Sequence, residues 1–193
     1  MEIRGQRVRQ ANAERARRAA DELETVIRDR GWKGRDSLGG QLSGDWWQVT
    51  LARGKEEMSA LSFVSIEQEA PRIVSIEGTA LTAEGKNHAI FKSLATRLRE
   101  DEKTLFYYWE GTWPGTKRIG FFGKGEITLD SAQNAHGFFT VSALDDAGMR
   151  EHLETRFFRA TAEESSVMNG DDSVLRNATV VRQLQRRESL AFD

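Results

Sequence analysis

At 193 residues the chain can form one full hydrophobic core plus an appended element, but not two large domains. A formal net charge of -2 gives no overall bias toward nucleic acid or anionic membrane, and the lack of cysteine excludes disulfides, thiolate metal ligands and a Cys nucleophile. The apolar runs are strand-length, well below the roughly 20 residues that cross a bilayer, and the N-terminus has no apolar stretch of signal-peptide type, so a soluble, cytoplasmic protein is expected.

Residues 1–31 are rich in Arg, Ala and Glu, which favours a helix by propensity. The apolar stripe there is thin (Ile3, Val8, Ala16, Leu23, Val26, Ile27), so the helix suits a connector or dimer element better than a core element. Its basic residues, Arg4 to Arg18, make either a solvated face or one that meets phosphates or the cytoplasmic side of a membrane. Residues 32–43, with Gly34, Gly39 and Gly40, read as a linker.

From residue 44 to 161 the period shortens to two, and strands are expected near 45–52, 59–67, 72–81, 88–98, 104–113, 119–129, 137–144 and 152–160. The connections between them are hairpin-length. A meander of about eight strands removes its exposed edges most simply by closing, and at that strand number the interior holds packed side chains or one small ligand. Residues 162–193 are expected to be a polar loop and then a helix from Val174 to about Arg187. Asp172 or Ser173 would cap it, and Val174, Leu175, Ala178, Val181 and Leu184 would form its apolar face. The predicted fold class is therefore mainly β: an antiparallel up-and-down barrel of about eight strands with an N-terminal and a C-terminal helix.

Catalytic groupings are poor. His88, His136 and His152 fall on separate segments without a ligand motif, and no glycine-rich phosphate loop opens a helix. The glycines of Gly120-Phe121-Phe122-Gly123-Lys124-Gly125 lie inside a strand, where they permit curvature or a bulge. No enzyme activity, cofactor or metal is expected.

The aromatic run Phe106-Tyr107-Tyr108-Trp109, with Trp46, Trp47 and Trp113, is either core or a stacking surface, and Tyr107 and Tyr108 must face opposite sides of their strand. Gln48, Ser62, Gln68, Ser75, Ser93, Thr96 and Arg97 alternate with apolar neighbours, so they lie outside a solid barrel or inside a polar cup.

Gly44-Asp45-Trp46 in the first strand, with Arg156 and Arg159 in the last, resembles the closure motif of lipocalin and wider calycin barrels, in which an Arg stacks over the Trp. A broader set of segments runs from Leu42 to about Ala160. It comprises Ser43-Gly44-Asp45-Trp46-Trp47, Ile66-Glu67-Gln68, Ser75-Ile76-Glu77-Gly78-Thr79, Phe91-Lys92-Ser93, Leu105 to Gly111, Gly125 to Leu129 and Gly137-Phe138-Phe139. This set resembles the soluble barrel of the SMODS-associated two-transmembrane, β-strand-rich effectors of CBASS antiphage defence.

The resemblance implies a non-enzymatic sensor that binds a cyclic dinucleotide and self-associates. Membrane association would come only through a segment not present in this sequence, and direct DNA or RNA binding is not implied. On that reading Trp47, Tyr107, Tyr108 and Trp109 stack on bases, Gln68 and Ser93 read base edges, and Arg97, Arg156 and Arg159 face phosphates. Two other readings stand beside it. One is a lipocalin-like carrier whose interior is dominated by Phe63, Phe91, Leu105 and Phe139; the other is a solid barrel acting as an oligomerisation module.

Overall fold

The computed structural model describes residues 38–51, 58–70, 73–82, 84–99, 103–116, 118–143 and 150–190. The helix expected over residues 1–31 and the first part of the expected linker lie outside the described residues. In chain order the elements are α1 (Leu38–Leu42), β1 (Gly44–Leu51), β2 (Met58–Ala70), β3 (Ile73–Leu81), β4 (Asn87–Arg99), β5 (Thr104–Thr112), β6 (Ile119–Leu129), β7 (Asn134–Ala143), β8 (Arg150–Arg159), α2 (Ala162–Met168) and α3 (Ser173–Leu190).

Every strand pairs antiparallel with its neighbour in sequence. β1 also pairs with β8, from Trp46 opposite Arg159 to Thr50 opposite Thr155, so the meander closes into an eight-stranded up-and-down barrel. Closure gives the edge N–H and C=O groups of β1 and β8 partners in each other.

Side-chain alternation then sorts each strand into an inner and an outer set. The inner set packs Trp46, Val64, Ile66, Val74, Ile76, Leu105, Ile127 and Phe157 into one core. On the outer side Trp47, Val49 and Leu51 of β1, with Leu61 and Phe63 of β2 and Leu81 of β3, build a second core against Met168 of α2 and Val180 of α3. β1 is thus buried on both faces from Trp46 to Leu51.

Three expectations are corrected. The expected linker contains α1, whose Leu42 is fully buried in the barrel core and whose carbonyl accepts the Trp46 indole N–H at 2.7 Å. The expected polar loop after residue 161 contains α2. It forms because Thr161 and Glu164 make a reciprocal capping box, a local signal that outweighs the polar composition. Glu164 also accepts from Trp47 Nε1 at 3.2 Å and from the Gln183 side chain, joining β1, α2 and α3 through one carboxylate.

The third correction concerns the face of α3. Asp172 does cap the helix, its Oδ1 accepting from the N–H groups of Val174 and Leu175 at 2.9 and 3.0 Å. The docked face, however, is Thr179, Val180 and Gln183 with the half-buried Leu184, the one expected residue that packs there, while Val174, Leu175 and Val181 are exposed. Gln183 on this face is tied to Glu164 of α2, and Val180 beside it packs into the second core.

At the closed end the Arg159 guanidinium lies over the Trp46 ring at 4.1 Å. It donates to the carbonyls of Ser43 (2.8 Å), Gln41 (2.5 Å) and Ala132 (2.7 Å). Gly44 has φ +123°, and a Cβ there would stand 2.7 Å from Arg159 Nη1, so the turn into β1 requires glycine. Arg159→Lys keeps the charge but cannot span three carbonyls and a ring face. Urea unfolding should show a loss of about 2 kcal/mol, the lower part of the range for hydrogen bonds to charged groups because the site is partly solvated. A loss under about 0.5 kcal/mol would show that closure does not depend on this residue.

Candidate functional site

The half of the barrel away from Arg159 is hollow, with a cavity of about 340 Å³. Its origin is visible in the inward positions of β2, β3 and β4. Toward the closed end these carry Val64, Ile66, Val74 and Ile76, which fill the interior. Toward the other end they carry Ala60, Ala80 and Ala89, which do not.

Rings form one wall. Trp109 meets Phe91, Phe121 and Phe139 edge-on, with centroids 6.2, 5.6 and 5.7 Å away. Near the mouth Trp113 packs against Phe121 at 4.8 Å and His88 at 5.3 Å. Gln48 and Thr50 of β1 and Ser62 of β2 supply a polar strip, and Val141 and Leu153 complete the lining. Among the described residues that line it none is Asp, Glu, Lys or Arg, and the one basic side chain is His88. Tyr107 also lines the cavity, and burial pushes its phenol pKa up, so it is neutral at physiological pH.

The rings reach this arrangement by lying over glycines of the neighbouring strand. In the ladder Tyr107 stands opposite Gly125, Trp109 opposite Gly123, Phe121 opposite Gly111 and Phe91 opposite Gly78. A Cβ on any of these glycines would meet the paired ring. The glycines of β6, read from the sequence as a source of curvature, therefore act here as space for aromatic side chains.

Of the nine expected ligand-binding residues, Tyr107 and Trp109 line the cavity. Ser93 faces inward, but its Oγ accepts from the Ile76 N–H at 2.9 Å. Nearby, Thr96 Oγ1 accepts from the Val74 N–H at 3.2 Å and donates to the Val74 carbonyl at 2.7 Å. These hydroxyls continue the β3–β4 seam beyond its last ladder pair, Glu77 opposite Lys92, so Ser93 is committed to the sheet.

The other six lie elsewhere. Gln68 sits near the closed end, its N–H donating to Ser43 Oγ at 3.1 Å. Trp47 points outward beneath α2 and α3. Tyr108, Arg97 and Arg156 stand exposed on the outer surface. Arg159 directs its guanidinium at backbone carbonyls, and its burial lowers the pKa.

Strand parity and the closure keep the side chains of Trp47, Tyr108, Arg97, Arg156 and Arg159, expected to stack on bases or face phosphates, out of the cavity lining. Of the four carrier-type residues, Phe91, Leu105 and Phe139 face inward, while Phe63 lies under the helices. Sequence reasoning missed Ala60, Ala80 and Ala89, whose small size at inward positions was the available signal.

No family model and no curated protein matches the sequence. Among solved structures the chain is similar to a redesigned β-barrel, at 15% identity and TM-score 0.49, over 64% of this chain and 96% of that one. It is also similar to the barrel EF1p2_mFAP2b bound to DFHBI, at 14% identity and TM-score 0.48, over 67% and 100%. A third is Treponema pallidum Tp0751 (pallilysin), at 15% identity and TM-score 0.42, over 72% and 97%. The likeness is one of barrel to barrel.

The glycine under Phe91 tests the ring packing without a backbone complication, since Gly78 does not have a positive φ. Gly78→Ala should destabilise by about 1–3 kcal/mol, the usual cost of overpacking a core. Adding Phe91→Leu should recover part of that loss in chemical denaturation, and additive losses in the double variant would show that the two sites do not touch.

Proposed function

We propose that this protein binds a small, neutral, largely apolar molecule carrying rings, and that it holds this molecule rather than transforming it. The observation that carries the reading is the cavity wall: Phe91, Trp109, Trp113, Phe121 and Phe139 surround about 340 Å³ of space, and among the described lining residues there is no Asp, Glu, Lys or Arg, the one basic side chain being the exposed His88 beside Trp113. That volume is at the small end of the roughly 300–1,000 Å³ range of ligand pockets, which fits a compact ligand. The solid-barrel alternative is disfavoured by the same cavity.

A cyclic dinucleotide, the ligand of an antiphage sensor, fits the wall less well. It brings two phosphate charges, and the cations expected to meet them are on the outer surface or engaged at the closed end. Burying a phosphate charge without a partner is strongly unfavourable.

Calorimetric and thermal-shift titrations with a neutral fluorescent probe (N-phenyl-1-naphthylamine), a fatty acid and cyclic dinucleotides distinguish these ligands. A ligand present at 100 times its dissociation constant should stabilise the fold by about 2.7 kcal/mol. The neutral aromatic probe is expected to do so, and Ala80→Phe, which fills the cavity, should weaken it by about tenfold or more, equivalent to about 1.4 kcal/mol. Stabilisation by a cyclic dinucleotide alone would overturn the reading.

Self-association is a second reading, favoured by Ile90, Leu94, Tyr108 and Phe122, which stand exposed on the outer face of β4 to β6. Sedimentation velocity at several protein concentrations, with and without the bound probe, should show a concentration-dependent dimer; a monomer throughout removes it.

A further inference from the structure

Gln48 stands on the inward side of β1, on the same parity as Trp46, and is 4% exposed. Across the β1–β2 ladder it faces Ser62, also 4% exposed, and both line the cavity. Neither side chain makes a hydrogen bond to the described residues. A buried carboxamide is seldom left so, because it forfeits the bonds it made to water. Trp109 Nε1, Thr155 Oγ1 and Gln183 Oε1 also lack partners, but they are sealed within the protein; the Gln48 amide keeps surface toward the cavity.

A glutamine amide sets an accepting carbonyl and a donating NH2 side by side in one plane. Four strands away in the ring of eight, β5 places Tyr107 and Trp109 on the opposite wall. Building on the cavity reading above, we infer that the ligand is a flat, neutral ring system with a donor and an acceptor adjacent on one edge, as in a lactam or an amino-substituted nitrogen heterocycle. That edge pairs with the Gln48 amide, and the rings lie toward the aromatic wall. The edge is neutral because no Asp, Glu, Lys or Arg stands among the described lining residues to offset a charge, and His88 is exposed beside Trp113. A ligand with an acceptor alone leaves the Gln48 carbonyl bare, and a purely apolar one leaves the whole amide bare. The cavity therefore selects among ring molecules by one polar edge.

The test uses 2-quinolone and coumarin, which share a shape and a carbonyl and differ by a ring N–H in place of a ring oxygen. With the full-length wild-type protein, calorimetry should give 2-quinolone a roughly five- to tenfold tighter dissociation constant. In Gln48→Met, close to glutamine in shape and without the amide, the ratio should fall below about twofold or reverse, since the N–H then has no acceptor to meet. Without ligand, this variant should melt no lower than the wild type, because the amide it removes has no partner to lose.

Equal affinity of the two compounds for the wild type overturns the inference, as does a lactam preference that survives Gln48→Met. A variant that melts well below the wild type, or does not fold, shows the amide to be part of the apo structure and overturns it too. Failure of both compounds to bind while N-phenyl-1-naphthylamine binds overturns the polar-edge inference and leaves the cavity reading intact. Failure of all three overturns both.

Discussion

Five residue pairs between β1 and β8, capped by the Arg159 guanidinium over Trp46, turn a strand meander into a ring. The rest of the molecule depends on that join. Once the ring is closed, the alternation of side chains has a fixed meaning: one parity faces a shared interior, the other faces solvent or the helices. Arg159 secures one end of the join by giving three backbone carbonyls a charged donor, in a place where the last residues of α1, the start of β1 and the β6–β7 turn converge.

Inside the ring the two halves differ in side-chain volume rather than in architecture. Branched aliphatics fill the end nearer Arg159; alanines on three adjacent strands leave the other end hollow, and rings on β4 to β7 line what remains. The aromatic wall is possible because glycines on neighbouring strands lie under it. The cavity has a chemical polarity too, with Gln48, Thr50 and Ser62 on β1 and β2 set apart from the rings of β4, β5 and β6. Binding in such a space rewards shape and a few well-placed polar atoms, with little role for charge.

The strand count, the hairpin-length connections and the up-and-down order were all legible in the sequence, since period two and turn residues are local signals. So was the pairing of Trp46 with an arginine of the last strand. The site was less legible because it depends on parity. Tyr107 and Trp109 fall inside and Tyr108 outside, an arrangement that alternation predicts once one member is placed, but no local feature says which member that is. The seam between β3 and β4 was also hidden: Ser93 looks like a free polar side chain in the sequence and is in fact part of the sheet's hydrogen bonding. On the helical side, α3 docks through Val180 and through Gln183, which is bound to Glu164, a tertiary contact that periodicity cannot show.

The double burial of β1 has a consequence for how the chain folds as it is made. Of the eight strands β1 leaves the ribosome first, yet its second edge waits for β8 and its outer face waits for Met168 and Val180, which come more than a hundred residues later. Until then Trp47, Val49 and Leu51 have no cover from the helices, and the strand carries an open edge, the combination that invites pairing with another chain. Gln48 and Thr50 interrupt the apolar run at the inward positions. A slip of one residue would move both under the helices, so the two polar residues that edge the cavity also help hold the strand in register while it waits.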